Sequence, residues 1–263
     1  MTGRQRLRAA FRDDLVALIP YLTAGYPSLE GAREVGDAYV EAGADVVEIG
    51  VPFSDPLADG PTIQDTASLA LKNGADLEYS LELAAALSGR VPIVFLVYYN
   101  IVFARGAREF LDEAAAAGVC GVVIPDLPVD EAGEFARVSA ERGVAFCPLA
   151  APTSTDERIA RVGELATGFV YCVSVAGVTG VRDELPPGAV GLLRRARRVV
   201  EAPVVLGFGI GSVETAARAA GESDGIIIGS KLMRLVGEGG VQRASGWLRE
   251  VRDALSSVAR VGG

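Results

Sequence analysis

Two acidic residues lie close together in the sequence, one in an apolar run and one in the loop that follows it. The apolar run, Val46–Ile49, carries Glu48, and the loop carries Asp59. An inward-facing carboxylate on a buried strand is unfavourable unless it is paired or used for chemistry. We therefore expect Glu48 and Asp59 to share one pocket, although a barrel cation paired with Glu48, or a turn or helix cap at Asp59, would also explain them.

The remaining reactive residue types narrow the chemistry. The chain has no histidine, which excludes His-based triads, HExxH metal sites and imidazole acid-base catalysis. The three cysteines, Cys120, Cys147 and Cys172, are far apart in apolar runs, so we expect buried inert thiols rather than a disulfide or zinc site. Proton transfer then falls to Asp, Glu, Tyr, Lys or Cys, and we expect no metal site.

Eight apolar runs alternate with segments of helical periodicity, and such alternation predicts a (β/α)₈ TIM barrel. The expected strands are 15–23, 46–50, 93–99, 120–125, 144–149, 168–174, 202–208 and 224–230. We expect amphipathic helices at Ala107–Ala117 and Asp130–Arg142, an extra N-terminal helix at about Arg4–Arg12, and a closing helix at about Val241–Ala259. The whole chain, 1–263, is then one α/β domain, with a doubly wound open sheet as the alternative fold.

In a barrel, the catalytic groups lie at the carboxyl ends of the strands. Glu48 and Asp59 both map to that rim, and three prolines in the loop, Pro52, Pro56 and Pro61, predict a stiff support for Asp59. Tyr99, Asn100 and Asp126 map to the same rim. The convergence favours a functional role for the two acids.

Three glycine-bearing turns also map to this rim: AGVTG (176–180), GFGIGS (207–212) and GSK (229–231). The loops after strands 7 and 8 of many barrels bind a phosphate with the N-terminus of a short helix. Glycine permits close approach of an anion to backbone N–H groups. The turns therefore indicate a phosphorylated ligand, although ordinary caps and turns would explain any one of them.

The charge balance argues against large anionic partners. Lys and Arg number 25 against 34 Asp and Glu, for a net charge of −9, with no long basic stripe. Binding to nucleic acid or to an anionic membrane is not expected. No apolar run suits a signal peptide or a membrane span, so we expect a soluble, cytoplasmic protein.

Several sequence motifs, in their order along the chain, resemble those of the α subunit of tryptophan synthase. The matching segments are PYLTAGYPS (20–28), VEIGVPFSDPLADGPTIQ (47–64), YYN (98–100), VIPDLPVDE (123–131), YCVSVAGVTG (171–180), GFGI (207–210) and IIIGS (226–230). The resemblance covers about residues 19 to 230. The segment around Glu48 and Asp59 is its most specific part.

The resemblance implies a lyase of tryptophan biosynthesis that cleaves indole-3-glycerol phosphate to indole and glyceraldehyde 3-phosphate. It implies Glu48 as the acid-base group and Asp59 as the acceptor of the indole N–H. The expected substrate-binding residues are Tyr21, Tyr171, Thr179, Gly180, Gly207, Gly209, Gly229 and Ser230. It also implies no cofactor in this chain, and an α₂β₂ heterotetramer whose β subunit uses PLP to join indole to serine.

Some details concern the partner and the family pattern. We expect Pro52, Phe53 and Asp55 to be exposed on the loop that meets the β subunit. Val175 and Lys231 depart from the family pattern, and Lys231 either adds charge near the phosphate or points to solvent.

Alternative functions are a stand-alone lyase, a mainly regulatory partner, or another phosphosugar barrel enzyme such as an isomerase.

Overall fold

A computed structural model describes residues 1–173, 185, 187–207 and 209–257. Thr179, Gly180 and Val175, which the sequence analysis singles out, lie outside these residues. Within the described part of the chain, every strand pairing between named strands is parallel. Parallel strands buried on both faces explain why the strand sequences are almost continuously apolar.

The described strands form a single sheet in the order β5-β4-β3-β2-β1-β9-β8-β7-β6. Their bounds are β1 Ala17–Thr23, β2 Val47–Gly50, β3 Ile93–Leu96, β4 Val119–Val123, β5 Ala145–Phe146, β6 Leu149–Ala150, β7 Val170–Val173, β8 Val204–Gly207 and β9 Gly225–Ile228. The two end strands of this order, β5 and β6, are consecutive in the chain. The sheet therefore closes on itself as the expected TIM barrel.

The predicted fifth strand, 144–149, is divided into β5 and β6 by Cys147 and Pro148. Pro148 has no N–H to give to the ladder, which interrupts regular pairing there. The link still bonds to both neighbours, because the Cys147 N–H donates to Val122 O at 2.9 Å and Pro148 O accepts from the Tyr171 N–H at 3.0 Å. The barrel wall is continuous through this point.

Helices cover the outside of the barrel. Their bounds are α1 Gly3–Ala9, α2 Leu29–Glu41, α3 Pro61–Lys72, α4 Leu77–Leu87, α5 Tyr99–Arg105, α6 Ala107–Ala116, α7 Gly133–Glu141, α8 Asp156–Leu165, α9 Pro187–Val199, α10 Val213–Ala220 and α11 Ser230–Ser257. The predicted closing helix is the second part of α11, which has a break at Gly240, where φ is 74°. No described helix is both long enough and apolar enough to cross a bilayer.

The extra N-terminal helix is present as α1 and ends three residues earlier than predicted. The Arg4 N–H donates to Gly143 O, just before β5, at 2.8 Å. Leu7 is fully buried, and a Cβ on Gly121 would lie 2.8 Å from its side chain. The α1 helix thus packs against β4 and the start of β5, away from the carboxyl ends of the strands.

Candidate active site

An open cavity lies at the carboxyl ends of the strands. Both predicted acids line it, together with three of the substrate-binding residues expected in the glycine-bearing turns, Gly209, Gly229 and Ser230. The lining residues used below are Tyr21, Glu48, Asp59, Leu96, Tyr171, Gly209, Gly229, Ser230 and Lys231. The acids of the first half of the barrel and the backbone turns of the second half therefore face one space.

Glu48 is placed by the backbone ladder of β2. It pairs with Tyr21 of β1 on one side and with Val94 of β3 on the other. The residue is 1% exposed, and among the described residues neither carboxylate oxygen has a hydrogen-bond partner. Burial, and secondarily the nearby charge of Asp59, raises the pKa of Glu48 to about 8. The side chain therefore holds a proton at neutral pH.

Asp59 lies in the loop that follows β2, and the side chains of Tyr98 and Gln64 hold it in position. The Tyr98 hydroxyl donates to Asp59 Oδ2 at 3.0 Å, and the Gln64 amide donates to the Asp59 carbonyl at 2.9 Å. Burial raises the pKa of Asp59 to about 6, against the opposing effect of the Tyr98 hydrogen bond. Asp59 is thus mostly ionised at neutral pH while Glu48 is mostly protonated.

Tyr21 and Tyr171 form buried walls of the cavity and lean over glycines of neighbouring strands. A Cβ on Gly50 would lie 2.1 Å from the Tyr21 hydroxyl, and one on Gly207 would lie 2.2 Å from the Tyr171 ring. Any side chain at either glycine would displace a ring. Gly207 is therefore required for the packing of Tyr171. We expected Gly207 to bind substrate, but it is not among the residues that line the cavity.

A chain of buried hydroxyls extends from Tyr21 into the protein. The Tyr21 and Thr23 hydroxyl oxygens are 3.1 Å apart, and those of Thr23 and Thr66 are 2.8 Å apart. The Thr66 hydroxyl donates to the carbonyl of Ile63 at 2.9 Å. These contacts fix the Tyr21 hydroxyl at one end of a continuous hydrogen-bonded series.

Backbone at the ends of β8 and β9, the strands between those of Tyr21 and Tyr171, forms a further part of the cavity wall. Gly209 has a φ of 84°, which favours glycine. Gly229 directly follows β9, and Ser230 is the first residue of α11. The first N–H groups of a helix lack partners within the helix, so this wall can bind an anion.

Lys231 lines the same cavity, and its ammonium lies 5.6 Å from the centre of the Trp247 ring. The side chain is half-buried rather than directed freely into solvent. A cation over an aromatic face is attracted by the ring quadrupole. Lys231 therefore belongs to the wall that carries Gly229 and Ser230, while its ammonium lies near the Trp247 ring.

The predicted exposure of the partner-facing loop is wrong for Pro52, and Phe53 is only partly exposed. Pro52 is buried, and the Phe53 ring stacks on Tyr98 with centroids 5.2 Å apart, whereas Asp55 is exposed. The loop folds back onto the end of β3, which covers its first residues. Leu57, which the sequence analysis did not single out, is instead 94% exposed.

Sequence reasoning also missed Tyr98. The predicted strand ran to residue 99, whereas β3 ends at Leu96 and Tyr98 immediately precedes α5. Its neighbour Tyr99 faces other partners, with its N–H donating to Asp126 Oδ1 at 2.8 Å. The motif YYN (98–100) was the available signal, but the sequence alone does not say which tyrosine reaches Asp59.

A wider groove opens beside the cavity. Asp59, Leu96 and Tyr171 line both spaces, so the two are contiguous. The groove continues past Leu57 and along the loop after β4, which includes Pro125–Val129. A small apolar molecule released near Asp59 would have a path along this surface.

Comparisons with known proteins agree with these features. The model of the family described as tryptophan synthase alpha chain matches residues 7–257. The tryptophan synthase alpha chain of Synechococcus elongatus is 43% identical over 242 residues, covering 91% of both chains. That of Roseiflexus castenholzii is 45% identical over 234 residues, covering 88% of both.

Solved structures give the same result. A chain from the tryptophan synthase α₂β₂ complex of Pyrococcus furiosus is 39% identical with a TM-score of 0.84, covering 92% of this chain and 98% of that one. A chain of Mycobacterium tuberculosis tryptophan synthase is 37% identical with a TM-score of 0.86, covering 99% and 97%.

Proposed function

Because this chain belongs to the tryptophan synthase alpha chain family, we propose that its cavity cleaves indole-3-glycerol phosphate to indole and glyceraldehyde 3-phosphate, with Glu48 and Asp59 as the catalytic residues. The observation that carries the assignment is the pair of carboxylates in one cavity. One is buried without a polar partner among the described residues, and the other is held by a hydroxyl.

The reaction is a retro-aldol cleavage of the bond between indole C3 and the first side-chain carbon. C3 gains a proton, which makes the ring a leaving group. The hydroxyl on this first side-chain carbon loses its proton as the carbon becomes an aldehyde. The electron pair of the broken bond returns to the ring and restores the aromatic indole, so a group that both donates and accepts a proton is sufficient.

Glu48 is suited to this exchange because it holds a proton at neutral pH. Its pKa of about 8 lies near the operating range, where general acid-base catalysis is most effective. The carboxylate oxygens make no hydrogen bond within the described residues, so no contact with that part of the chain has to break before Glu48 acts. Glu48 thus delivers a proton to C3 and takes one from the hydroxyl.

Asp59 stabilises the protonated ring. Positive charge develops on the indole nitrogen when C3 is protonated, and a fixed carboxylate that accepts the N–H opposes that charge directly. The Tyr98 hydrogen bond favours the ionised form of Asp59. One acid is therefore kept protonated and the other is kept charged within the same cavity.

We propose that the phosphate of the substrate binds at Gly209, Gly229 and Ser230. The N-terminus of α11 lies at this wall, which supports binding of an anion by a protein of net charge −9. Tyr21 and Tyr171 form the walls at the indole end. Thr179 and Gly180, which lie outside the described residues, remain predictions for phosphate binding.

The partner of this chain is the β subunit of tryptophan synthase, in an α₂β₂ complex. The contiguous groove past Leu57 supports transfer of indole toward that subunit. The β subunit carries PLP, which supplies the chemistry that joins indole to serine. We propose that this chain itself uses no cofactor and no metal, and that it works in the cytoplasm.

The test is indole production by the purified chain from indole-3-glycerol phosphate, before and after addition of a β subunit. We expect slow cleavage by the chain alone and a marked increase with the partner, because ordering of loops at the rim raises the population of the competent state. No indole under either condition would contradict the proposal. Full activity alone, with no complex in sedimentation, would identify a stand-alone lyase.

A further inference from the structure

We propose that Tyr98 is the positioning residue for Asp59: its hydroxyl holds one carboxylate oxygen and leaves the other to accept the ring N–H of the substrate. The inference rests on the proposed function of Asp59. It assigns to Tyr98 a part in the reaction that is separate from lining the pocket, because Tyr98 acts through the carboxylate rather than on the substrate.

The direction of the hydrogen bonds at Tyr98 follows from its neighbours. The backbone N–H of Ala58 donates to the Tyr98 oxygen at 3.1 Å. The single hydroxyl hydrogen is then free to be given to Asp59 Oδ2, 3.0 Å away. The hydroxyl thus joins two successive residues of the loop and fixes both the backbone and the carboxylate.

Tyr98 is itself firmly held. It is 3% exposed, and it sits between the end of β3 and the start of α5. The ring stacks on Phe53 at an interplanar angle of 24°. Tyr98 therefore attaches the loop to the barrel at both its beginning and its end, at Phe53 and at Asp59.

The same hydrogen bond favours the charged form of Asp59, since a donor to a carboxylate lowers its pKa. Other groups that titrate or carry charge face this region from neighbouring elements. They are Tyr21 on β1, Glu48 on β2, Tyr171 on β7 and Lys231 on α11 in the cavity, with Asp126 near Tyr98 from the loop after β4. Loss of the Tyr98 hydroxyl leaves all of them in place and removes two contacts, the one to the Asp59 carboxylate and the one from the Ala58 N–H.

The variant Tyr98→Phe keeps the ring and its stacking and removes the donor. We expect kcat to fall by about 10- to 100-fold with a smaller change in KM, because a hydrogen bond to a charged group is lost where transition-state charge develops. We also expect the acid limb of the pH-rate profile to move to higher pH. Tyr99→Phe is the matched control, because the neighbouring ring contacts Phe103 rather than Asp59.

Two further measurements separate positioning from general support of the fold. In an Asp59→Asn background, Tyr98→Phe should have little additional effect, because both changes act on one interaction. The carboxyl ¹³C signal of Asp59, assigned by its absence in Asp59→Asn, should titrate at higher pH in Tyr98→Phe than in the parent chain. This titration requires no turnover, so it tests Tyr98 even if the parent chain proves inactive on indole-3-glycerol phosphate.

An unchanged Asp59 titration in Tyr98→Phe would overturn the proposal. So would a fall in activity of the same size in the Asp59→Asn background, which would indicate a structural defect. An inactive parent chain with the expected Asp59 shift would instead contradict the proposed function and leave the Tyr98–Asp59 coupling supported.

Discussion

The inner wall of the barrel at β2 and the loop that follows it each supply one carboxylate, and they hold it in different ways. Glu48 is fixed by strand pairing on both sides and has no polar partner among the described residues. Asp59 is fixed by a tyrosine hydroxyl. Burial without a partner retains a proton, whereas burial with a donor retains a charge, so the fold obtains an acid with a pKa of about 8 beside one of about 6.

The largest effect should come from removing the protonated member of the pair. Glu48→Gln keeps the size of the side chain but cannot exchange a proton with the substrate. We expect cleavage to fall by about 10²- to 10⁴-fold, the usual range for a general acid-base group. Steady-state indole production measures this loss.

Circular dichroism and substrate KM serve as controls for Glu48→Gln, since both should stay near the parent values. A variant that retains more than a tenth of the parent kcat would remove Glu48 from the proton-transfer role.

The charged member of the pair should affect both rate and pH dependence. Asp59→Asn should reduce kcat by roughly 10²-fold, because a neutral amide cannot oppose the ring charge as a carboxylate does. The parent rate should decline above pH 8 as Glu48 ionises. In the variant that decline should begin at lower pH, because the Asp59 charge no longer raises the pKa of Glu48.

The alkaline limb of kcat/KM for Asp59→Asn measures this coupling between the two acids. An unchanged limb would show that burial alone sets the pKa of Glu48.

The smallest effect should appear in stability. The pKa of Glu48 is higher in the folded chain, about 8, than its ordinary value of 4.5. Its contribution to stability is therefore fully present below pH 4.5 and is lost as the pH rises toward 8. Glutamine does not titrate, so the Tm of Glu48→Gln minus that of the parent should rise across this window, by a few degrees or more.

Asp59→Asn is the matched comparison for this thermal measurement. The pKa of Asp59 is raised from 3.8 to about 6. The Tm of Asp59→Asn minus that of the parent should therefore rise over a lower and narrower pH range than for Glu48→Gln. Identical pH windows for the two variants would contradict the distinction between the two acids.

The sequence was sufficient for features that depend on local pattern. Apolar runs located the barrel strands, and alternation along Val46–Gly50 turned Glu48 inward. The cavity-lining positions Gly209, Gly229 and Ser230 followed from their place after the last strands of a barrel. Each depends on a periodicity or on the end of a strand, which one sequence displays directly.

Features that depend on how loops pack were not predictable in the same way. Proline content suggested a stiff loop, but the contact that holds Asp59 comes from Tyr98, 39 residues away. Phe53 was expected on the surface because nothing in its own segment shows that a tyrosine ring lies beneath it. Likewise, Pro148 divides the fifth strand because proline has no backbone N–H to donate. A count of apolar residues does not detect this.

The hydrogen bonds of the hydroxyl series behind Tyr21 all run in one direction. As a result, Tyr21 and Tyr98 play opposite hydrogen-bonding roles. The Thr66 hydroxyl donates its single hydrogen to the carbonyl of Ile63. Thr23 must therefore donate to Thr66, and Tyr21 must donate to Thr23. The Tyr21 proton therefore points away from the cavity and only its lone pairs remain free to face it. Tyr98 donates its hydrogen bond to Asp59, whereas Tyr21 can offer the cavity only an acceptor.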